Sequence, residues 1–366
     1  MPTVLNLACR AKSQKVCQIS SLNIYDSIKR ILGLACAAVH KAEQTELVPP
    51  SFFAKHAGPG LLAGLISKPS ISRTATLEEK RPTFALLRRI RDHPELTLGS
   101  PGHSSYPDIV TSKGDTLTKL VSEWADEWLE DTRDDADVEK RLEGMVEEVV
   151  WGNVIWFGPG GWHACSESSR PFNPDFFVCV LSFLHGISVL TPHSAHLVTS
   201  SIFLLTIVLR SEHAPYPPVA LPSRLTLLKA YLAMCAAWYI SRGNVPLPIK
   251  DFYDVTSDRL TAPPAAPVPP SAQLKPLGAR GSPWERIIVN GVAHPDEHVV
   301  KAVRSLSTFA AHWGGRPAGY YAGGGEGGLE GREVLDGTLF VRAASLMLDR
   351  LGWAYESGKS LGNWDF

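Results

Sequence analysis

Apolar residues recur at three- and four-residue spacing along most of the chain beyond its first hundred positions. Leu117, Leu120, Val121, Trp124 and Trp128 keep the spacing of one helix face and predict a helix that starts at Asp115. Val138, Leu142, Met145, Val146 and Val149 make a second such stripe. Arg224 to Arg242 is a third predicted helix, densely apolar and stopped by Gly243. Leu339, Phe340, Ala343, Leu346, Met347 and Leu351 predict a late one. Strict alternation is rare and no strand–helix–strand rhythm is visible. The pattern therefore predicts a mainly α fold: a single large helical domain with long Pro/Gly-rich connections.

Two stretches punctuate that pattern. Residues 261–283 are rich in Pro and Ala and read as an extended surface connection. Residues 314–331 are glycine-rich and are expected to be mobile. Gly323, Gly325 and Gly328 there have GxGxxG spacing, but no strand precedes them and no acidic residue follows at the distance a dinucleotide fold needs. The expected organisation is a poorly defined segment over residues 1–80 and a helical domain over 81–366.

Phe176 to Leu209 carries no formal charge and is long enough to cross a bilayer. It also holds Pro192, His185, His193, His196 and several hydroxyls, which a span would have to strip of water. A buried helical hairpin is the preferred reading, and a membrane-associated helical protein is the alternative.

Composition narrows the class. The 366 residues are 44% hydrophobic and 20% charged, as in a globular protein. Net charge is −1 and no basic run is interleaved with aromatics, which argues against a nucleic-acid partner. Six scattered cysteines without a CxxC pair read as reduced thiols of an intracellular protein. Arg10, Lys12 and Lys15 interrupt the N-terminus, so no secretory signal is expected, and the predicted location is cytoplasmic.

Candidate chemistry is densest at His294-Pro295-Asp296-Glu297-His298-Val299-Val300-Lys301. Pro295 suits a first helical position, and Asp296 and Glu297 suit the positive end of the helix dipole. At helical spacing His298, Lys301, Ser305 and His312 share one stripe, while Val299, Val300, Val303, Leu306 and Ala310 share another. The stripe reads either as a set of ligands and acid–base groups or as an ordinary solvated face. No G-x-S-x-G elbow, P-loop or HExxH is present, and Trp162-His163-Ala164-Cys165 reads as an ordinary loop, with a reactive Cys–His pair as the alternative.

Several phrases, taken in order, resemble the questin oxidase-like family of fungal secondary metabolism. They are Arg91-Asp92-His93-Pro94-Glu95-Leu96, Asp175-Phe176-Phe177 and His196-Leu197-Val198-Thr199-Ser200-Ser201. They continue with Leu227-Leu228-Lys229-Ala230-Tyr231, Tyr239-Ile240-Ser241-Arg242-Gly243 and Trp284-Glu285-Arg286-Ile287-Ile288. Asp296-Glu297-His298-Val299-Val300-Lys301 and the closing Trp364-Asp365-Phe366 complete them. The resemblance runs from about Arg81 to Phe366. It departs from the family pattern twice. Val178 to Ala195 looks like an insertion between Asp175-Phe176-Phe177 and His196, and the family's histidine-rich opening helices are missing from Met1 to Lys80.

The resemblance implies an NADPH-dependent, monooxygenase-like oxidoreductase. Such an enzyme would oxygenate an aromatic polyketide ketone of the anthraquinone type and open its ring in a Baeyer–Villiger manner. Because the chain lacks a dinucleotide-binding pattern, non-haem iron is the expected oxygen-activating group. His196 and His298 are the expected ligands, with His294 as a further candidate. Lys301 is expected to steady an oxyanion, hold a carboxylate or, if carbamylated, act as a ligand. Asp296 or Glu297 would orient an imidazole. Trp124, Trp128, Trp151, Trp156, Trp238 and Tyr239 either line a site for a flat substrate or belong to the core. The rival expectation is a catalytically inactive helical remnant with an incomplete ligand set.

Overall fold

In the computed structural model, residues 80–97, 106–161, 192–209, 219–256, 282–323 and 327–354 are described. Among them there is no strand, and the helices share one hydrophobic core, in keeping with a mainly α fold. Calls that fall on Asp175-Phe176-Phe177, the Trp162–Cys165 loop, Gly325, most of 261–283, most of 178–195 and Trp364-Asp365-Phe366 lie outside these residues.

Helix α1 spans Ala85–Asp92, α2 Tyr106–Leu129 and α3 Asp135–Ile155. Asp134 caps α3 by accepting the N–H of Asp137 at 2.9 Å. From Met145 onward every residue of α3 is buried, and burial continues through the π-helical turn Trp156–Gly160. A helix covered on all sides lies at the centre of its fold. α2, α4 (Pro192–Ser201), α6 (Leu221–Ser241) and α10 (Leu339–Leu351) pack around α3 and its π turn. The short α5 (Leu204–Ile207) follows α4 directly. α6 is buried throughout Leu228–Ala237 and lies against α2 and α3. α7 (Ile249–Val255), α8 (Pro283–Ala293) and α9 (Glu297–Trp313) complete the helices, with α9 packed on α4, α8 and α10.

Two consecutive carboxylates of α3 tie different sides of it. Glu147, only 4% exposed, accepts both nitrogens of an Arg316 fork at 2.9 Å and the Tyr321 hydroxyl at 2.7 Å. Glu148, also buried, accepts the Phe84 N–H at 2.6 Å and the indole N–H groups of Trp124 and Trp128 at 2.8 and 2.6 Å. Burial pushes the Glu148 carboxyl up, and these three donors pull it back.

Several expectations shift. α2 begins at Tyr106 rather than Asp115, because Ile109 is buried and Tyr106 stacks on Trp238 with centroids 4.7 Å apart. Asp296 is itself the cap of α9, so Pro295 lies just outside the helix. Ser305 is buried while Lys301 and His312 are exposed, so the polar stripe is broken. The described part of the glycine-rich connection is pinned. Tyr321 and Leu329 are fully buried, and the Leu329 N–H reaches the Thr83 carbonyl at 3.1 Å. Most of the aromatic candidates are core. Trp151, Trp156 and Tyr239 are buried, and Trp156 stacks on Tyr239 at 5.0 Å. The end of the apparent insertion, Pro192 to Ala195, forms the first turn of α4. Among the described residues no helix is long and apolar enough to cross a membrane.

Candidate functional site

α4 and α9 pack together and bring two imidazoles side by side. The rings of His196 and His298 lie with centroids 5.2 Å apart, near-perpendicular at 80°. The residues are a hundred positions apart in the chain, and both are partly buried.

The α9 side is built locally. Asp296 caps the helix: its Oδ1 accepts the His298 backbone N–H at 2.8 Å. The same oxygen lies 2.8 Å from His298 Nδ1. An ionised carboxylate only accepts, so Nδ1 carries a proton, and in the neutral ring the lone pair is left on Nε2. His298 is therefore arranged as a base backed by a carboxylate.

His294 serves a different end. It is 3% exposed, its Nδ1 accepts the Asp296 backbone N–H at 3.1 Å, and its Nε2 meets the Leu351 carbonyl at 3.2 Å. Both ring nitrogens are thus engaged, and His294 ties the start of α9 to the end of α10. Glu297 does not reach an imidazole. It holds Lys301 one turn on, at 2.6 Å, and that ammonium keeps the Glu297 carboxyl below the ordinary range.

The α4 side is held from below. The Tyr231 hydroxyl of α6 donates to the Leu197 carbonyl at 2.9 Å and lies 2.7 and 3.0 Å from Ser200 and Ser201 Oγ. Ser200 Oγ donates to the His196 carbonyl at 2.6 Å. Asn153 of α3, fully buried, reaches Ser201 Oγ at 2.8 Å. Cys235 joins this cluster as a free thiol, pushed by burial up to about 12, so it stays protonated. The sequence reading missed Asn153 and the role of Tyr231. The available signal was a polar residue inside the apolar run that ends α3.

The electrostatics set the state of the pair. Burial first, then the charge His298 would carry once protonated and the Lys301 ammonium, hold His196 down at about 4. His196 is accordingly a neutral imidazole at physiological pH, able to give one hydrogen bond and accept another.

A mononuclear iron needs at least three suitable donors with open positions. Among the described residues no group of three or more His, Cys, Asp or Glu side chains could hold a metal ion. The juxtaposed imidazoles are two donors, and His294 is already engaged through both nitrogens. Among the described residues the donor set is one ligand short. For a dinucleotide, no strand leads into a glycine-rich turn among the described residues.

A family model described as questin oxidase-like matches residues 30–306, which is more than half of the chain. The match starts within the segment read above as poorly defined and covers α1 to α8 and the first half of α9. No curated protein and no solved structure matches the chain.

Proposed function

The chain belongs to the questin oxidase-like family of oxidoreductases, and from that premise we propose that it oxygenates an aromatic polyketide ketone of the anthraquinone type. The proposed reaction is a Baeyer–Villiger-type ring opening. One oxygen atom of dioxygen enters between the carbonyl carbon and its neighbour and yields an ester or lactone. The other leaves as water, with NADPH and a proton supplying the two reducing equivalents. NADPH and the substrate class rest on the family; the residue roles rest on geometry.

The observation that carries this reading is the contact of His196 with a His298 already backed by Asp296. His298 Nε2 takes a proton from an acidic hydroxyl of the bound substrate. Asp296 stabilises the imidazolium that results and fixes its tautomer. The neutral His196 ring donates a hydrogen bond to the oxygen that becomes anionic. Lys301, exposed and ion-paired to Glu297, favours the same anion only by the margin of its charge over that carboxylate. Since the described donor set falls short of three, no step is assigned to iron. A metal bound by His196 and His298 would need a further ligand beyond these residues.

The deciding experiment is aerobic incubation of purified protein with NADPH and a panel of hydroxyanthraquinones, with product masses read. The reading expects a gain of one oxygen, with consumption of NADPH and dioxygen, and loss of all three in His298→Asn. Elemental analysis of the same preparation tests the metal reading directly. No consumption across the panel, with a normally folded protein, would favour the inactive-remnant reading instead.

A further inference from the structure

Arg242 closes α6, about three turns beyond Tyr231, in a phrase the His pair leaves unused. Its guanidinium is half-buried and has neither a carboxylate nor a hydrogen-bond partner among the described residues, and Nε is fully enclosed without one. Arg89, Arg91, Arg224 and Arg316 each face a carboxylate. The guanidinium lies over the Trp238 ring, 5.5 Å from its centroid, and Trp238 stacks on Tyr106 at 18° between planes. Trp238 is also the one tryptophan among the six aromatic candidates that is not fully buried.

Helix polarity accounts for part of this. The negative end of α6 attracts a cation, yet its last carbonyls accept the backbone N–H groups of Arg242, Gly243 and Asn244 and the Ser241 hydroxyl, and none accepts from the Arg242 side chain. Partial desolvation of an unpaired charge is unfavourable. A planar fork of donors held against an aromatic floor suits a planar or tetrahedral oxyanion carried by a flat ring system. Gly243 (φ 97°) turns the chain away sharply after Arg242, and a Cβ built there meets nothing within 4 Å.

We propose that Arg242, seated on the Tyr106–Trp238 stack, is a binding residue for the oxyanion of an aromatic ligand. The oxyanion is a phosphate or a carboxylate, and the two sources differ. A phosphate would belong to the ribose 2′ position of the dinucleotide reductant, which rests on the functional reading above. A carboxylate would belong to an acidic aromatic substrate.

The test is equilibrium titration of the full chain with NADPH, NADH and 2-hydroxybenzoate, followed by calorimetry and tryptophan fluorescence. The native protein, Arg242→Met and Arg242→Lys are compared. Loss of a charge-assisted contact should weaken one probe about 10- to 100-fold in Arg242→Met. Arg242→Lys keeps the charge without the fork and should recover part of the loss. Weakening of NADPH alone, with NADH unchanged, assigns the phosphate; weakening of 2-hydroxybenzoate assigns the carboxylate. Equal affinities in native protein and both variants would overturn the proposal, as would no binding of any probe by native protein. If Arg242→Met fails to fold, the Arg242→Lys comparison decides alone. Binding is read without turnover, so its failure leaves the His298 chemistry standing, and failure of turnover leaves this site standing.

Discussion

One oxygen of Asp296 holds both the backbone N–H and the ring Nδ1 of His298, each at 2.8 Å. Helix initiation and imidazole orientation therefore share a single acceptor. Asp296→Asn separates the two roles, because asparagine caps helices about as well as aspartate. The variant should melt within a few degrees of the native protein, while turnover falls roughly 10²- to 10⁴-fold, the usual worth of positioned acid–base catalysis. Steady-state kinetics beside a melting curve check it. A parallel loss of stability would mean that the carboxylate matters only as a cap.

His196 makes stability depend on pH. The unfolded chain takes up a proton near 6.5, whereas the folded ring does so only at about 4. Between those values the unfolded state holds more protons, so stability falls as pH drops through that window. Above it both states are neutral and His196 contributes no slope. His196→Asn should flatten the fall measured by urea titration between pH 6.5 and 4. An unchanged slope would show that other groups cause it.

Tyr231→Phe removes a hydroxyl that meets the Leu197 carbonyl and two serine hydroxyls in a buried place. Partners stranded without water cost about 1–3 kcal/mol. The denaturant midpoint should drop accordingly with little change in its slope. The His196 proton-uptake midpoint, followed by NMR, should also rise toward the ordinary histidine range as α4 loosens.

Gly291 lets α8 approach α9 closely. A Cβ there would lie 2.8 Å from Val303 Cγ2, on the helix that carries His298. Gly291→Ala should destabilise by about 1–3 kcal/mol through overpacking. Pairing it with Val303→Ala should restore much of the loss in a double-mutant cycle.

The sequence made the regular parts readable and left the long-range parts hidden. α3, α6 and α10 were legible because their apolar residues keep helical spacing without interruption. The first turns of α2 were not, since Ser112, Gly114 and Asp115 are weak helix formers. Packing against α6, through Ile109 and the Tyr106–Trp238 stack, overrides that local preference. Ser305 misled for a similar reason. α9 is covered by α4, α8 and α10, so its buried face is wider than one apolar stripe. Asp296 and His298 were legible as a pair because they are two residues apart. The contact of His298 with His196 depends on how α4 meets α9, and no local pattern encodes that. The family resemblance placed both histidines on the candidate list, and only coordinates put their rings together.

Glu147 and Glu148 stand side by side in α3 yet grip unrelated parts of the molecule, about 100° apart around the axis. One extra residue upstream in that helix would carry Glu147 into the surroundings of Glu148 and Glu148 into apolar packing. Arg316 and Tyr321 would then lose their acceptor, and a charge would be buried unpaired. Length changes in this lineage should therefore accumulate in the connections on either side, and α3 should keep a fixed count of residues like the keystone of an arch.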